Sequence, residues 1–408
     1  MENLQGIDYL KTKLTNKRIR AKTRYEFYEM KNVIPDFGIS TPPKLKSMQS
    51  VLGWCGKAVD SLADRLQFRT FENDDFAMGE IYQLNNADIL FDSAILSALI
   101  ASCCFIFISE DGDGYPRMQV VDAKNATGII DPITGMLKEG YAILAADVYG
   151  NPTMEAYFTS ETTDIYNDGT KTKSVRNVAN YPMLVPIVFR PDAVRPFGHS
   201  RITRACMSLM QSAARTVKRS EISAEFFSFP QKYITGMAQD AEIDDKWTAA
   251  MSAMMTFTKD DEGDTVKVGQ FSQQNMSPHL DQLKMLAALF AGETGLTMDD
   301  LGFVSDNPSS AEAIKASHEN LRLIARKAQR DFSVGFLNAG YLAASLRDNF
   351  PYQRRQIRNT KIIWEPIFEP DAAMLSGIGD GAIKINQAVP GYFGANNLRN
   401  LTGIEADS

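Results

Sequence analysis

The residues able to do chemistry are few and scattered along the 408-residue chain. Three histidines, His199, His279 and His318, stand far apart, and none belongs to a His-Glu-x-x-His run that would set two imidazoles on one helix face around a zinc ion. The four cysteines, Cys55, Cys103, Cys104 and Cys206, have no metal-ligand spacing. Adjacent Cys103 and Cys104 would point to opposite faces of a strand, so all four read as buried, reduced thiols. No Gly-x-Ser-x-Gly elbow presents a nucleophile, and no Gly-x-x-x-x-Gly-Lys-Ser/Thr run cradles a phosphate. Two acidic clusters, Asp111-Gly-Asp-Gly114 and Asp260-Asp-Glu-Gly-Asp264, lack the periodic ligands and closing Glu of a calcium loop and read as hairpin turns. Asn125-Ala-Thr127 matches a glycosylation sequon, which carries no meaning without a secretory leader. The expectation is a chain with no catalytic residue, no cofactor and no metal.

Composition narrows the classes further. At 44% hydrophobic and 23% charged, the chain suits a soluble protein of two or three domains. Its net charge of −7 argues against tight, static nucleic-acid binding, because Lys and Arg neutralising phosphates supply most non-specific affinity. A wall along which DNA slides is compatible with that charge. Met1 to Arg20 is polar and basic without an apolar core, and reads as neither signal peptide nor anchor. Ser93 to Ser109 comes near spanning length, but its composition changes midway and a Gly-Asp turn follows, so it reads as a helix running into a buried strand.

The elements that would position any site follow from periodicity. Lys11 to Met30 is helix-compatible, with Tyr25 and Tyr28 on one face. Leu45 to Leu66 predicts a second helix and Asn85 to Ala101 a third. From Cys103 to Arg190 the pattern is β: Cys104 to Ile108, Met118 to Val121, Tyr141 to Val148, Met154 to Thr159 and Asp164 to Tyr166, in a meander whose sharpest turn is Asn167-Asp-Gly169. Ser200 is placed to cap a long helix, Arg201 to Phe227. Lys232 to Ile234 predicts a short strand, Ile243 to Ala253 a helix, Thr265 to Phe271 a strand and Leu280 to Glu293 a helix. A polar loop, Gly302 to Ser310, precedes a helix from Ala311 to about Leu346, capped by Asp306 or by Ser309, with Glu312 three residues after Ser309 as in a capping box. Lys361 to Trp364 reads as an edge strand, and the helical tail Ala372 to Leu401 is expected to break at Gly377-Ile-Gly and Pro390-Gly.

This order of elements resembles the portal, or head-to-tail connector, family of tailed bacteriophages. Three stretches carry the resemblance: Arg24-Tyr-Glu-Phe-Tyr28 with Lys57 to Leu66; Phe197-Gly-His-Ser-Arg-Ile202 leading to Phe229-Pro-Gln231; and Gly295-Leu-Thr with Leu301-Gly302 and Asp306 to Ile314. The resemblance implies an α+β portal fold. Its parts would be an α/β wing over residues 1–198, a stem of two helices over 199–230 and 279–296, and a small α/β clip over 231–278. A tunnel loop would occupy 297–309, a long wing helix and late strand 310–369, and a short helical crown 370–408.

It also implies a function: a non-enzymatic ring of twelve identical subunits at one capsid vertex, made in the host cytoplasm and carried in the virion. That ring would be the channel for DNA packaging and ejection. Its partners would be double-stranded DNA, bound weakly and without sequence preference, the large terminase subunit, the major capsid and scaffolding proteins, and the head-completion adaptors, with no membrane. Ser305, Asp306, Asn307, Pro308 and Ser309 would be the tunnel loop facing DNA. Arg201, Arg204, Arg215, Lys218 and Arg219 would face the channel or a neighbouring subunit's Glu221 or Glu225, and the same cations equally suit a solvated helix face. Asp260, Asp261 and Glu262 would mark the docking surface of the clip. Another structural head protein, a minor capsid or adaptor subunit, would share the acidic α/β character but would not need two helices flanking a compact insert. A prophage hydrolase would need a pocket of perturbed titratable groups.

Overall fold

The computed structural model describes residues 5–35, 47–227, 232–235, 267–270, 275–303, 316–368, 372–402 and 404. They fold as two compact units. One comprises Met1–Asn32, Gly53–Met207 and Glu293–Ser408; the other comprises Val33–Leu52 and Ser208–Gly292. Every strand pairing among the described residues is antiparallel, with helices segregated from the sheets, which makes the class α+β.

The first unit begins with α1 (Ile7–Tyr28), whose Leu10 and Leu14 pack on Tyr141. Its C-terminal turn meets α2 (Trp54–Ala63), where the Tyr28 hydroxyl donates to Asp60 at 2.8 Å and a Cβ on Gly56 would sit 3.3 Å from the Tyr28 carbonyl. The helix expected from Leu45 is shorter than its spacing suggests. Residues 47–53 are not helical: Val51 is exposed, and Ser50 spends its hydroxyl on Glu221 instead. After β1 (Phe68–Glu72), a helix that periodicity misses, α3 (Met78–Leu84), is capped from a distance by Asp74, which accepts from the Met78 and Gly79 amides.

Helix α4 (Ala87–Ala101) turns at Ser102 straight into β2 (Cys103–Glu110), as the change of composition predicts. Six consecutive residues of β2 are buried because it is the central strand of a three-stranded sheet, between β3 (Pro116–Asp122) and β9 (Leu184–Val188). Pro186 is tolerated because β9 is an edge strand. The meander is a separate five-stranded sheet in sequential order, β4 (Ala126–Ile130), β5 (Leu137–Ala146), β6 (Pro152–Phe158), β7 (Thr162–Asn167) and β8 (Thr170–Arg176). Its tightest turn is the expected one: Asp168 and Gly169 both take positive φ, 47° and 78°.

After the second unit the chain returns as α7 (Glu319–Arg347), and β12 (Lys361–Trp364) pairs with β1. Gly335 does not interrupt α7. It lets the helix lie against β9, since a Cβ there would stand 2.7 Å from Ile187 Cδ1 and 3.0 Å from the Pro186 carbonyl. Phe91 stacks on Phe336 at 3.9 Å and on Phe68 at 4.2 Å, while the Tyr82 hydroxyl donates to the Phe336 carbonyl at 2.6 Å. This aromatic cluster is the centre of the unit. The tail forms α8 (Ala372–Ala388) and α9 (Ala395–Thr402), broken at the expected Pro390-Gly but not at Gly377-Ile-Gly, through which α8 runs unbroken.

The second unit contains most of α5 (Arg204–Phe227) and of α6 (Ser277–Thr294), with β10 (Lys232–Thr235) paired to β11 (Lys267–Gln270) between them in sequence. Both strands fall where the β-rich runs are read. The helix expected over Ile243 to Ala253 lies outside the described residues.

Candidate functional site

Helix α5 starts three residues later than Ser200 would place it. Ser200 is buried and turned inward: its hydroxyl donates to the Ile100 carbonyl at 2.6 Å and accepts from the Ile202 amide at 2.9 Å. Thr203 takes over as cap, accepting from the Cys206 amide at 3.2 Å and donating to Glu293 at 2.8 Å.

That shift corrects the reading of Arg201. It precedes the helix and is only 5% exposed, so within the chain its guanidinium faces neither a channel nor solvent. It donates to the Ala58 carbonyl at 3.2 Å and to that of Thr294, and burial lowers its pKa to about 10. The side chain ties the middle of α2 to the last residue of α6.

Arg204, Arg215, Lys218 and Arg219 do lie on α5, and their successive spacings of eleven, three and one residues keep them within an arc of about 100° on one side of it. Arg204 is exposed and the other three half-buried. Arg215 donates to the Ser212 hydroxyl at 2.9 Å, and burial, then the like charge of Arg219, holds its guanidinium below its ordinary range. Of the two carboxylates expected to answer these cations from a neighbour, Glu225 is exposed, and Glu221, also exposed, accepts from Ser50 at 2.7 Å. Helix α6 buries Leu286, Ala287, Phe290 and Ala291 in one stripe, and leaves Leu280, Met285 and Leu289 about half exposed.

The loop Ser305, Asp306, Asn307, Pro308 and Ser309 lies outside the described residues, and so do Asp260, Asp261 and Glu262. The entry to that loop is described. Gly295, at φ 70°, ends α6 against Ile324, and a 3-10 turn, Asp299–Leu301, follows. Thr297 and Asp300 cap it reciprocally: Asp300 accepts from both the Thr297 amide and hydroxyl at 2.9 Å, and the Thr297 hydroxyl accepts from the Asp300 amide at 3.2 Å. Asp300 also meets His318 Nε2 at 3.4 Å, so one carboxylate joins the residues on either side of segment 304–315. The Thr-x-x-Asp pattern of Thr297 to Asp300 is a sequence signal that periodicity alone passes over.

Among the described residues, His199 and the four cysteines lack the neighbours that acid–base or nucleophilic chemistry would need. Asp192 orients His199 through Nε2 at 2.6 Å, as a carboxylate orients a general base, but the other ring nitrogen faces the Arg195 guanidinium at 3.4 Å rather than a hydroxyl or thiol. The four thiols are buried, and burial pushes Cys103 up to about 12, far from a reactive thiolate. Among the described residues no three His, Cys, Asp or Glu side chains come together as a metal site. No single helix among them is long and apolar enough to cross a membrane; α3 and α4 pass that test only jointly, bent by 85°.

Comparison with known proteins supplies the relatives of this chain. The portal protein of Mycobacterium phage L5 is 26% identical over 343 residues, covering 78% of this chain and 69% of its own length. That of Mycobacterium phage D29 is 27% identical over 329 residues, covering 75% and 67%. Among solved structures, a chain from the neck of a native GTA particle, computed with C12 symmetry, covers 87% of this chain and 90% of its own at 14% identity and a TM-score of 0.49. The family model described as phage portal protein, SPP1 Gp6-like, matches residues 7–373, nearly the whole of the described structure, and the chain therefore belongs to the phage portal proteins of the SPP1 Gp6-like family.

Proposed function

We propose that this chain assembles as a ring of twelve copies at one vertex of a phage capsid, where it is the conduit for DNA entering and leaving the particle. The observation that carries the reading is the match to the portal family model over residues 7–373. In this reading the first unit supplies the wing, α5 and α6 the stem, the segment between them the clip, and α8 and α9 a short crown. The grouping of Ser208–Gly292 with Val33–Leu52 in one compact unit supports the stem and clip assignment. The clip engages the terminase and then the head-completion adaptors, while the wing meets capsid and scaffolding proteins.

Because no phosphate-cradling loop is present in the sequence, the work of packaging comes from an external ATPase, and this ring guides and retains the genome. Arg204, Arg215, Lys218 and Arg219 give the stem its cations against an acidic whole, so DNA attraction is weak and falls steeply with salt. Residues 305–309 face the duplex, and Asp260, Asp261 and Glu262 face the motor.

Electron microscopy of the purified protein tests the central claim: open rings with a central hole are expected, and a monomeric mass by light scattering at all concentrations and salts would overturn it. Bulky substitutions at Asp306 and Asn307 should lower packaging yield at matched particle number while rings still form. Serine at Asp260, Asp261 and Glu262 should weaken motor engagement in the same assay.

A further inference from the structure

The first unit holds a concave, strongly basic site that neither the stem nor the clip involves. Helix α1 carries Lys13, Lys17, Arg20 and Arg24 at spacings of four, three and four, which sets all four cations on one face over about 16 Å at 1.5 Å per residue. That face lines a cavity of about 310 Å³, at the lower end of the range of small-molecule pockets. Its far wall is the loop Val194 to Gly198, which adds Arg195, and its floor is the α4–β2 junction, Ala101 to Cys103. Five cations therefore meet one cavity, and no carboxylate is among the described residues that line it.

The opposite face of α1 shows what a compensated cation looks like in this fold. Lys11 pairs with the buried Glu155 at 3.0 Å. On the cavity side the partners are neutral carbonyls: Lys13 donates to Gly128 at 2.7 Å and Arg24 to Ala101 at 2.9 Å. Burial, and then Lys17, holds the Lys13 ammonium below its ordinary range; burial likewise lowers Arg24, with Arg20 and Arg195 pushing the same way. Like charges at a spacing of four cost a helix stability, so this face is maintained against its own repulsion. The floor adds a second sign of constraint, because Ser102 holds a left-handed φ of 89°, rare for a residue with a side chain.

We propose that this cavity is a binding site for a compact polyanion bearing linked phosphate groups, with inorganic pyrophosphate as its smallest member. Several cations spaced along one wall suit more than one anionic centre, and guanidinium groups from two walls can grip phosphate oxygens bidentately. A cavity of this size admits a di- or triphosphate group and excludes a duplex. Phe197, which lies under Lys13 at 5.2 Å, and Phe105 give the wall an apolar side that limits competing water.

The test uses the purified full-length protein and sodium pyrophosphate, titrated against sodium chloride of equal ionic strength. One saturable site per chain by calorimetry and a saturable rise in Tm are expected. The double substitution Lys17→Gln with Arg20→Gln should weaken pyrophosphate binding about tenfold or more, through loss of charge-assisted bonds. Both residues are exposed, and removing like charges from one face should leave the ligand-free Tm unchanged or higher. A control pair of equal charge, Lys173→Gln with Lys384→Gln, lies outside the cavity and should leave the affinity as it was. Arg195→Gln, on the other wall, should weaken binding independently. A response that tracks ionic strength without saturating, or equal loss in both pairs, would overturn the site. Displacement of pyrophosphate by duplex DNA or by a poly-glutamate peptide at lower charge concentration would overturn its assignment to compact phosphates.

Discussion

Two long helices of this chain treat their surfaces in opposite ways. From Phe332 to Ser345, α7 is buried almost all round, including both glycines and Asn338, which accepts from Arg354 at 2.9 Å. Helix α5 buries small residues in a narrow stripe, Ala213, Ala214 and Thr216 among them, and its neighbour in sequence, α6, leaves Met285 and Leu289 exposed one turn apart. A helix enclosed on every side finds all its partners within its own unit. One that is enclosed along a single stripe, with apolar side chains such as Met285 and Leu289 about half exposed, keeps area open to a further contact. In the proposed ring, the next subunit would make that contact.

If the contrast holds, the most damaging substitutions to folding lie on α7. Phe336 is fully buried, stacked on Phe91 and in edge contact with Trp364, so Phe336→Ala should cost about 3–5 kcal/mol. Equilibrium denaturation in urea measures it, and a loss under about 1 kcal/mol would mean that the aromatic cluster closes over the cavity and is less rigid than argued. Next comes Arg201→Met, which leaves the Ala58 and Thr294 carbonyls without their donor. Removal of a buried cation offsets part of that, and a net loss of about 2 kcal/mol is expected in the same assay. Neutral or improved stability would mean that the desolvation cost of the buried guanidinium cancels what its two bonds contribute.

Much of the fold is legible in the residues alone. The α4–β2 passage, the Asp168-Gly169 turn, the β12 edge strand and the C-terminal end of α6 follow from composition, period and turn chemistry, each of them local, while α6 begins at Ser277, three residues before the reading. The failures are equally physical. Ser200 has the right residue type and position for a cap, yet long-range bonds to the Leu99–Ile100 carbonyls outcompete that role. Arg201 reads as a surface cation because nothing nearby in sequence reveals two carbonyls 143 and 93 residues away. Gly377 and Gly379 read as breakers, but each costs a helix only about 1 kcal/mol in propensity, too little to stop it. Of the candidate site, the basic excess of α5 is visible in sequence, whereas the cavity on α1 depends on residues brought from Ala101 and Arg195 by the fold.

The exposed side of the comparison is tested by assembly rather than stability. Met285→Ser with Leu289→Ser removes apolar area from α6 without touching its buried stripe, so Tm should barely move. Ring formation should weaken by about 1–2 kcal/mol per subunit contact, from roughly 25 cal/mol for each Å² of apolar surface no longer covered. Light scattering across a dilution series reads this as dissociation at higher protein concentration. Unchanged assembly would place the subunit contact on another surface.

The smallest effect belongs to Asp300, which joins the flanks of segment 304–315. Burial pushes its carboxyl up, but the bonds from the Thr297 amide and hydroxyl and the contact with His318 outweigh that and hold it below the ordinary carboxylate range. A folded-state value below the unfolded one means that the stabilisation is fully present above about pH 4 and drains away as pH falls through the lowered value. The loss should be local, at about 1 kcal/mol or less, because one carboxylate and one short turn are involved. Amide hydrogen exchange at Thr297 and Asp300 resolves it: protection should hold from neutral pH to about 4 and decline below that. Asp300→Ala should abolish it at every pH, and Asp300→Asn, which keeps an acceptor but not the charge, should fall between and lose the pH dependence. Equal protection in all three proteins would show that the turn is held by its backbone alone, and that His318, at the N-terminus of α7, does not steady the entry to the loop proposed to face DNA.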